Sequence, residues 1–372
     1  MADSALGRLR ILDFSRVLAG PLASMTLADL GAEVTKVERP GSGDDTRAWG
    51  PPHDSEGEAT YFQAVNRNKR SVALDLRDPG DLAEGRRLAL ESDVLVENFR
   101  PGLMAELGLD HESLAGENPG LVYCSITGFG GSGAGAELPG YDLLVQALGG
   151  LMSITGEPDG EPLKVGVALV DVIAGLYAAV GILAALEHRR ESGEGQRVEV
   201  DLLSALLAGL VNQSSAYTQA GVVPGRMGNR HPSIAPYELL RCGEGELALA
   251  VGNDRQFADL CEVIGEPDLA TDDRFATNPA RVENRDELRP LLESALATRP
   301  APEWVDLLRA RRVPAGVVND IGAAFKFADQ IGLAPIIEIP RDAGPPVRLP
   351  RSPIKLSKTP ATYRLPPPTL PI

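Results

Sequence analysis

Residues 9–38 read LRILDFSRVLAGPLASMTLADLGAEVTKVE, and this segment decides the fold. The run at 9–14 is strand-like, Pro21 suits the first turn of a helix over 22–30, and Gly31 suits its C-terminal cap. Residues 33–38 then alternate as a second strand. Strand, helix and strand within this span make the unit of a right-handed parallel crossover. The pattern recurs with strands at 71–76, 93–98, 121–127 and 196–200, and with a helix at 79–91. Such alternation predicts an α/β fold, a Rossmann-like large domain with a parallel sheet. Asp201 is placed to cap a helix running towards Gln219.

Residues 220–236, AGVVPGRMGNRHPSIAP, break the composition with Gly and Pro and read as a linker. Beyond it the spacing predicts a hairpin over 237–251 turning at Gly243, Glu244 and Gly245, with helices at 254–264, 281–298 and 302–312. A strand at 315–318 and a helix at 321–328 follow, giving a smaller α+β domain over 237–328. A strand at 335–339 leads back, so that residues 329–372, ending in an extended Pro-rich tail from Pro345, complete the large domain of 1–219.

The net charge of −16 argues against nucleic acid or an anionic membrane as partner. Cys124, Cys242 and Cys261, odd in number and without paired spacing, argue against disulfides and a zinc site and point to the cytoplasm. The opening MADSALGRLRILDF shows no signal-peptide pattern. No GxGxxG follows the first strand, and no P-loop, HExxH or GxSxG occurs; His53, His111, His188 and His231 are too scattered for a metal site.

From 165 to 186 the only charged residue is Asp171. The stretch is long enough for a membrane span, but Asp171 and three glycines favour a buried helix preceded by a strand. A carboxylate in such surroundings needs partners or a task. Two roles fit Asp171: N-cap of the helix that follows, and a nucleophile held ionised by the helix dipole. Arg39, Arg77 and Arg100 each follow the C-terminal end of a predicted strand, the edge where open parallel sheets bind ligands. Several guanidinium groups at one edge of an acidic protein favour a phosphate-bearing ligand, and Asn98, Phe99 and Arg100 add an amide, a ring and a cation.

The segments at 11–47, 66–81 (NRNKRSVALDLRDPGD), 92–102 (SDVLVENFRPG), 125–130 (SITGFG), 165–189 and 195–205 (GQRVEVDLLSA) resemble, in order, the signature blocks of the family III CoA-transferases, a group that includes the α-methylacyl-CoA racemases. The resemblance implies an interlocked homodimer. It also implies a coenzyme A thioester as substrate with a carboxylic acid as acceptor, and no tightly bound cofactor or metal. It makes Asp171 the nucleophile and lines the CoA site with Val17, Leu18 and Ala19. Arg39, Leu74, Asp75, Leu76 and Arg77 then approach the adenosine and its phosphates, and Asn98, Phe99 and Arg100 the rest of the nucleotide.

Departures from the family pattern refine this expectation. Where the racemases carry Gly-His-Asp, this chain has Gly140, Tyr141 and Asp142. A tyrosine, with a pKa of about 10, is a poor base near neutrality, which favours transfer over racemization and leaves Tyr141 to orient the acyl group. The glycine run of the formyl-CoA transferases is missing around 230–237, which speaks against formate and oxalate. Members of the family usually continue past a Gly-Glu-His-Thr stretch into a last helix, whereas this sequence stops at PPPTLPI. The alternatives are a racemase-type isomerase and a silent acyl-CoA binding protein.

Overall fold

The computed structural model describes residues 4–371. They fall into two compact units: residues 4–151 with 164–222 and 333–371, and residues 152–163 with 223–332.

The larger unit is built on a six-stranded parallel sheet: β1 (Arg10–Asp13), β2 (Glu33–Glu38), β3 (Lys69–Ala73), β4 (Val94–Glu97), β5 (Val122–Thr127) and β6 (Arg197–Asp201), in the order β3-β2-β1-β4-β5-β6. The order reverses between β1 and β4, as it does at the switch point of doubly wound sheets. The central strands are covered on both faces, which is why β4 reads VLVE and is buried throughout. Leu12, Phe14, Leu95, Leu109, Leu121 and Tyr123 pack together in one core. Burying such a side chain stabilises the fold by about 1.5–3 kcal/mol.

Helix Ala19–Asp29 packs against the long helix Leu169–Ser192. Val170, Ala174, Ala178, Ile182 and Ala185 form the buried stripe of the long helix at spacings of three and four. A Cβ on Gly175 would lie 2.5 Å from the Ala19 carbonyl oxygen, so glycine there lets the two backbones meet. This helix is long and apolar enough to cross a bilayer. The strand expected before it is absent: residues 164–168 form no strand, and the helix starts two residues ahead of Asp171.

In the smaller unit β7 (Tyr237–Arg241), β8 (Glu246–Ala250) and β9 (Ala315–Val317) form an antiparallel sheet. Helices Asp254–Ile264, Asn278–Glu283, Arg285–Leu296 and Ala301–Ala310 accompany it, and Phe257, Leu260, Leu292, Trp304 and Leu308 meet in its core. The helix expected over 281–298 is two helices that break at Asn284. Buried Arg281 explains the earlier start, because its guanidinium donates to the carbonyls of Ala235 (2.7 Å) and Phe275 (2.8 Å). Residues 152–163 and 223–236 also belong here: Arg226 donates to the carbonyls of Glu157 (3.1 Å) and Gly160 (3.0 Å).

Part of the tail read as extended is a strand: β10 (Ile336–Ile339) pairs antiparallel with β11 (Val347–Pro350). The remainder is fastened to the large sheet by the NRNK segment. Asn68 donates through its amide to Asp29 and to the Thr362 carbonyl, both at 2.8 Å, and accepts from the backbone of Arg364 (2.6 Å) and Leu365 (3.1 Å). Arg67 pairs with Asp29 at 2.6 Å and donates to the Pro350 carbonyl at 3.1 Å. The Asn68 backbone has φ +62°, a left-handed conformation that asparagine tolerates.

Candidate active site

β1 ends at Asp13, and the turn from Ser15 to Leu18 carries the chain over the C-terminal edge of the sheet into helix Ala19–Asp29. Val17 holds φ +69°, a genuine outlier for a β-branched residue, and such strain persists only where the surroundings over-determine it. Asn98 clamps the turn, accepting from the Arg16 amide and donating to the Arg16 carbonyl, both at 2.8 Å. From beneath, Lys36 donates to the Ser15 carbonyl (2.7 Å) and Lys69 to the Pro21 carbonyl (2.9 Å).

These lysines are fully buried, each against an aspartate: Lys36 with Asp44 at 2.9 Å and Lys69 with Asp13 at 3.0 Å. Asp13 also accepts from the hydroxyls of Ser15 and Ser24, and Asp44 from the Val17 amide at 3.3 Å. Burial pushes Asp13 up, but Lys69 and Lys36, with the two serines, reverse this and hold it at about 2. Burial and the charge of Lys36 bring Lys69 down to about 8 against the pull of Asp13. No feature of the sequence alone shows that the two lysines point inwards.

Above the turn lies a cavity of about 660 Å³. Its walls bring together Val17, Leu18, Ala19, Asn98, Phe99, Arg100, Tyr141 and Asp171. An adjoining cleft of about 260 Å³ gathers Arg39, Leu74, Asp75, Leu76, Arg77 and, again, Phe99. Arg39 is paired with Asp45, Arg77 with Asp75 at 2.9 Å, and Arg100 with Glu106 at 2.6 Å. Arg77 is 91% exposed, so it stands at the rim. Tyr141 is 64% exposed and sits one residue before helix Asp142–Leu148.

Asp171 is not the N-cap of its helix: Ala168 holds that position and Asp171 lies in the first turn. The capping acceptor is Asp142, which takes the amide of Val170 at 2.8 Å and that of Asp171 at 3.4 Å. Asp142 is itself held by the Gln146 amide at 2.5 Å. With these donors engaged by a second carboxylate, the dipole does not keep Asp171 ionised. Burial, followed by the charge of Asp142, raises it to about 7. A carboxylate titrating there is more basic than a surface aspartate and is about half ionised at neutrality. A reaction that needs ionised Asp171 gains rate with pH up to about 7. Asp142→Asn removes the charge repulsion, so the acid limb of kcat/KM moves to lower pH; an unmoved limb in the pH–rate profile counts against this assignment.

Sequence reasoning passed over several residues. Arg16 is common to both cavities. Tyr61 has its phenol raised by burial and then by Asp171, Asp142 and Asp44. The strap from Gly128 to Tyr141 lines the larger cavity, and a Cβ on Gly128 would lie 2.4 Å from the Gly140 Cα, so both ends of the strap meet where side chains cannot fit. The SITGFG block was its visible signal. Asp142 enters the sequence reading only as the third residue of a triplet, because nothing in its spacing shows that it reaches a helix starting 27 residues later.

A profile of CoA-transferase family III matches residues 6–371. A succinate–glutarate CoA-transferase of Agrobacterium fabrum is 44% identical over 98% of this chain and 92% of its own length. An acetyl-CoA:oxalate CoA-transferase of Acetobacter aceti is 40% identical over 94% of this chain and 88% of its own. A crystal structure of a CaiB/BaiF family protein from Brucella suis superposes with a TM-score of 0.87 at 43% identity, covering 99% of this chain and 97% of that one. The sheet with its switch point, the large cavity at its edge and a match along the whole described chain agree, and the protein belongs to CoA-transferase family III.

Proposed function

We propose that the protein moves CoA from a dicarboxylic acyl-CoA to a free dicarboxylate through covalent intermediates on Asp171. The observation that supports this reading most is the Asp171 carboxyl itself. It lies in the wall of the large cavity, no described residue hydrogen-bonds to it, and it titrates at about 7. In the first step a carboxylate oxygen of Asp171 attacks the donor thioester carbonyl, the C–S bond breaks, and CoA leaves as thiolate. The thiolate then attacks the Asp171 carbonyl of the mixed anhydride, releasing the donor acid and leaving an aspartyl-CoA thioester. The acceptor carboxylate repeats both steps in reverse, so the thioester bond energy is conserved. The Ala19 and Gly20 amides, at the start of helix Ala19–Asp29 and without a helical acceptor, supply donors to the oxyanions.

The choice of dicarboxylates rests on the relatives. The Agrobacterium protein is named for succinate and glutarate. The oxalate-using relative, at 40% identity, removes the ground for excluding oxalate that the missing glycine run offered. The larger unit, without residues 152–163, forms the CoA-binding domain in this reading. Leu176, Tyr177, Val180, Leu183, Val211 and Tyr217 are exposed on the larger unit, more apolar surface than a monomer comfortably shows, and this favours the interlocked homodimer. Three cysteines without disulfides fit a cytoplasmic enzyme, and the net charge of −16 fits the absence of nucleic acid and membrane partners.

The test is to incubate the protein with succinyl-CoA or glutaryl-CoA, quench, and examine the peptide containing Asp171 by mass spectrometry. A CoA or acyl adduct on Asp171 is the expected result. Its absence during turnover, with solvent deuterium entering the α-carbon of the ester, would transfer the assignment to the isomerase reading.

A further inference from the structure

The three loop arginines expected to meet phosphate each face an acid already, as their pairing with Asp45, Asp75 and Glu106 shows. Arg16 does not. Its guanidinium carbon lies 4.8 Å from the centroid of the Phe99 ring, a cation–π distance, and no described residue accepts a hydrogen bond from the guanidinium or forms an ion pair with it. Its backbone is fixed on both sides by Asn98. Burial and the like charge of Arg39 lower its pKa, while Asp45 and Asp44 act in the opposite sense. Those two carboxylates are engaged elsewhere, Asp45 by Arg39 and Asp44 by Lys36. Arg16 is thus a half-buried cation with its donors unspent, held over an aromatic face.

Its place is as informative as its lack of partners. Arg16 and Phe99 are the two residues that line both cavities. The smaller cleft, with Phe14, Val37, Leu74 and Leu76 in its walls, suits a flat heteroaromatic base, and the larger contains Asp171. A CoA thioester laid from one to the other has its base at one end and its thioester at the other. Between them, at the shared wall, comes the diphosphate. A guanidinium offers paired donors that match phosphate oxygens, and the Phe99 stack orders it before the ligand arrives.

We infer that Arg16 is the residue that receives the diphosphate of the CoA thioester, an assignment that rests on the proposed function. Arg39, Arg77 and Arg100 then serve as rim charges whose acids temper the field.

The experiment is calorimetric titration of the protein and of its Arg16→Gln and Arg16→Lys variants with CoA, 3′-dephospho-CoA and pantetheine. Arg16→Gln is expected to weaken CoA and 3′-dephospho-CoA alike by about 10- to 100-fold and to leave pantetheine unchanged. Arg16→Lys, which keeps the charge without the fork, recovers part of the loss. Equal weakening of all three ligands would make Arg16 a support for the turn and overturn the assignment. Loss confined to CoA would move the contact to the 3′-phosphate and overturn it too, as would unchanged binding throughout. If the unsubstituted protein binds none of the three, the CoA reading falls and the assignment falls with it. A failure of the variants alone leaves the parent reading intact.

Discussion

The Asp171→Ala protein binds CoA within about threefold of the parent and loses transfer by about 10⁴-fold or more, the scale on which removal of a nucleophile acts. Initial rates with saturating acyl-CoA and acid, beside calorimetric affinity for CoA, measure both halves of this statement. Residual transfer above about a hundredth of the parent rate would remove Asp171 from the covalent role. Asp171→Asn carries a second expectation from the same geometry. The folded protein holds Asp171 at about 7, above the ordinary carboxylate value of 3.8, so its stabilising contribution is complete below pH 3.8 and is lost as pH rises through 7. At pH 8 the ionised carboxylate is a burden that asparagine lacks. Asp171→Asn is therefore inactive and melts higher than the parent at pH 8, and the gain fades on acidification. A side chain whose loss strengthens the fold and stops the reaction is retained for chemistry.

Lys69→Met destabilises the protein by about 3–5 kcal/mol, the usual cost of leaving one member of a buried ion pair behind. The reasons are specific: Asp13 loses its closest cation at 3.0 Å, and the Pro21 carbonyl and the side-chain oxygen of Asn66 each lose a donor at 2.9 Å. Urea unfolding followed by circular dichroism reads the loss. Because Lys36 holds the start of the turn that carries Val17 and Lys69 the first turn of the helix that follows it, CoA affinity falls as well, even at urea-free conditions where the variant is folded. A stability change below about 1 kcal/mol would mean that the four buried charges are not coupled as their distances imply. Replacing such a network with apolar side chains can be neutral for stability, so its retention here is best understood through the strained turn it supports.

The sheet was legible from sequence because its signals are local. β2 at Glu33–Glu38 occupies the residues expected from alternation alone, and helix Asp254–Ile264 spans the segment its spacing predicts. Asp171 stood out because a single charge in an apolar run is visible without a structure. What escaped was whatever depends on a distant partner. Asp142 caps another helix, Lys36 and Lys69 turn inwards from strands that look half-polar, and β11 becomes a strand only through its pairing with β10. Nothing in the sequence marks Arg16 out beside Arg39, Arg77 and Arg100. Only the pairing of those three with acids, and the stacking of Arg16 on Phe99, sets it apart.

The fastening of the tail by Asn68 bears on how the protein is made. Asn68 and Arg364 are 296 positions apart, so on the ribosome the first four strands emerge long before the segment that engages Asn68, and through the Pro350 carbonyl Arg67, exists. During that interval Arg67 and Asn68, both buried in the finished protein, lack these partners. Meanwhile Val223–Gly332, continuous in sequence and carrying most of the second unit, is synthesised ahead of the tail and has its own core available. The nascent chain is thus expected to order the later-encoded unit before the larger unit closes, and a translation stalled near residue 330 would expose the earlier half to chaperones and proteases.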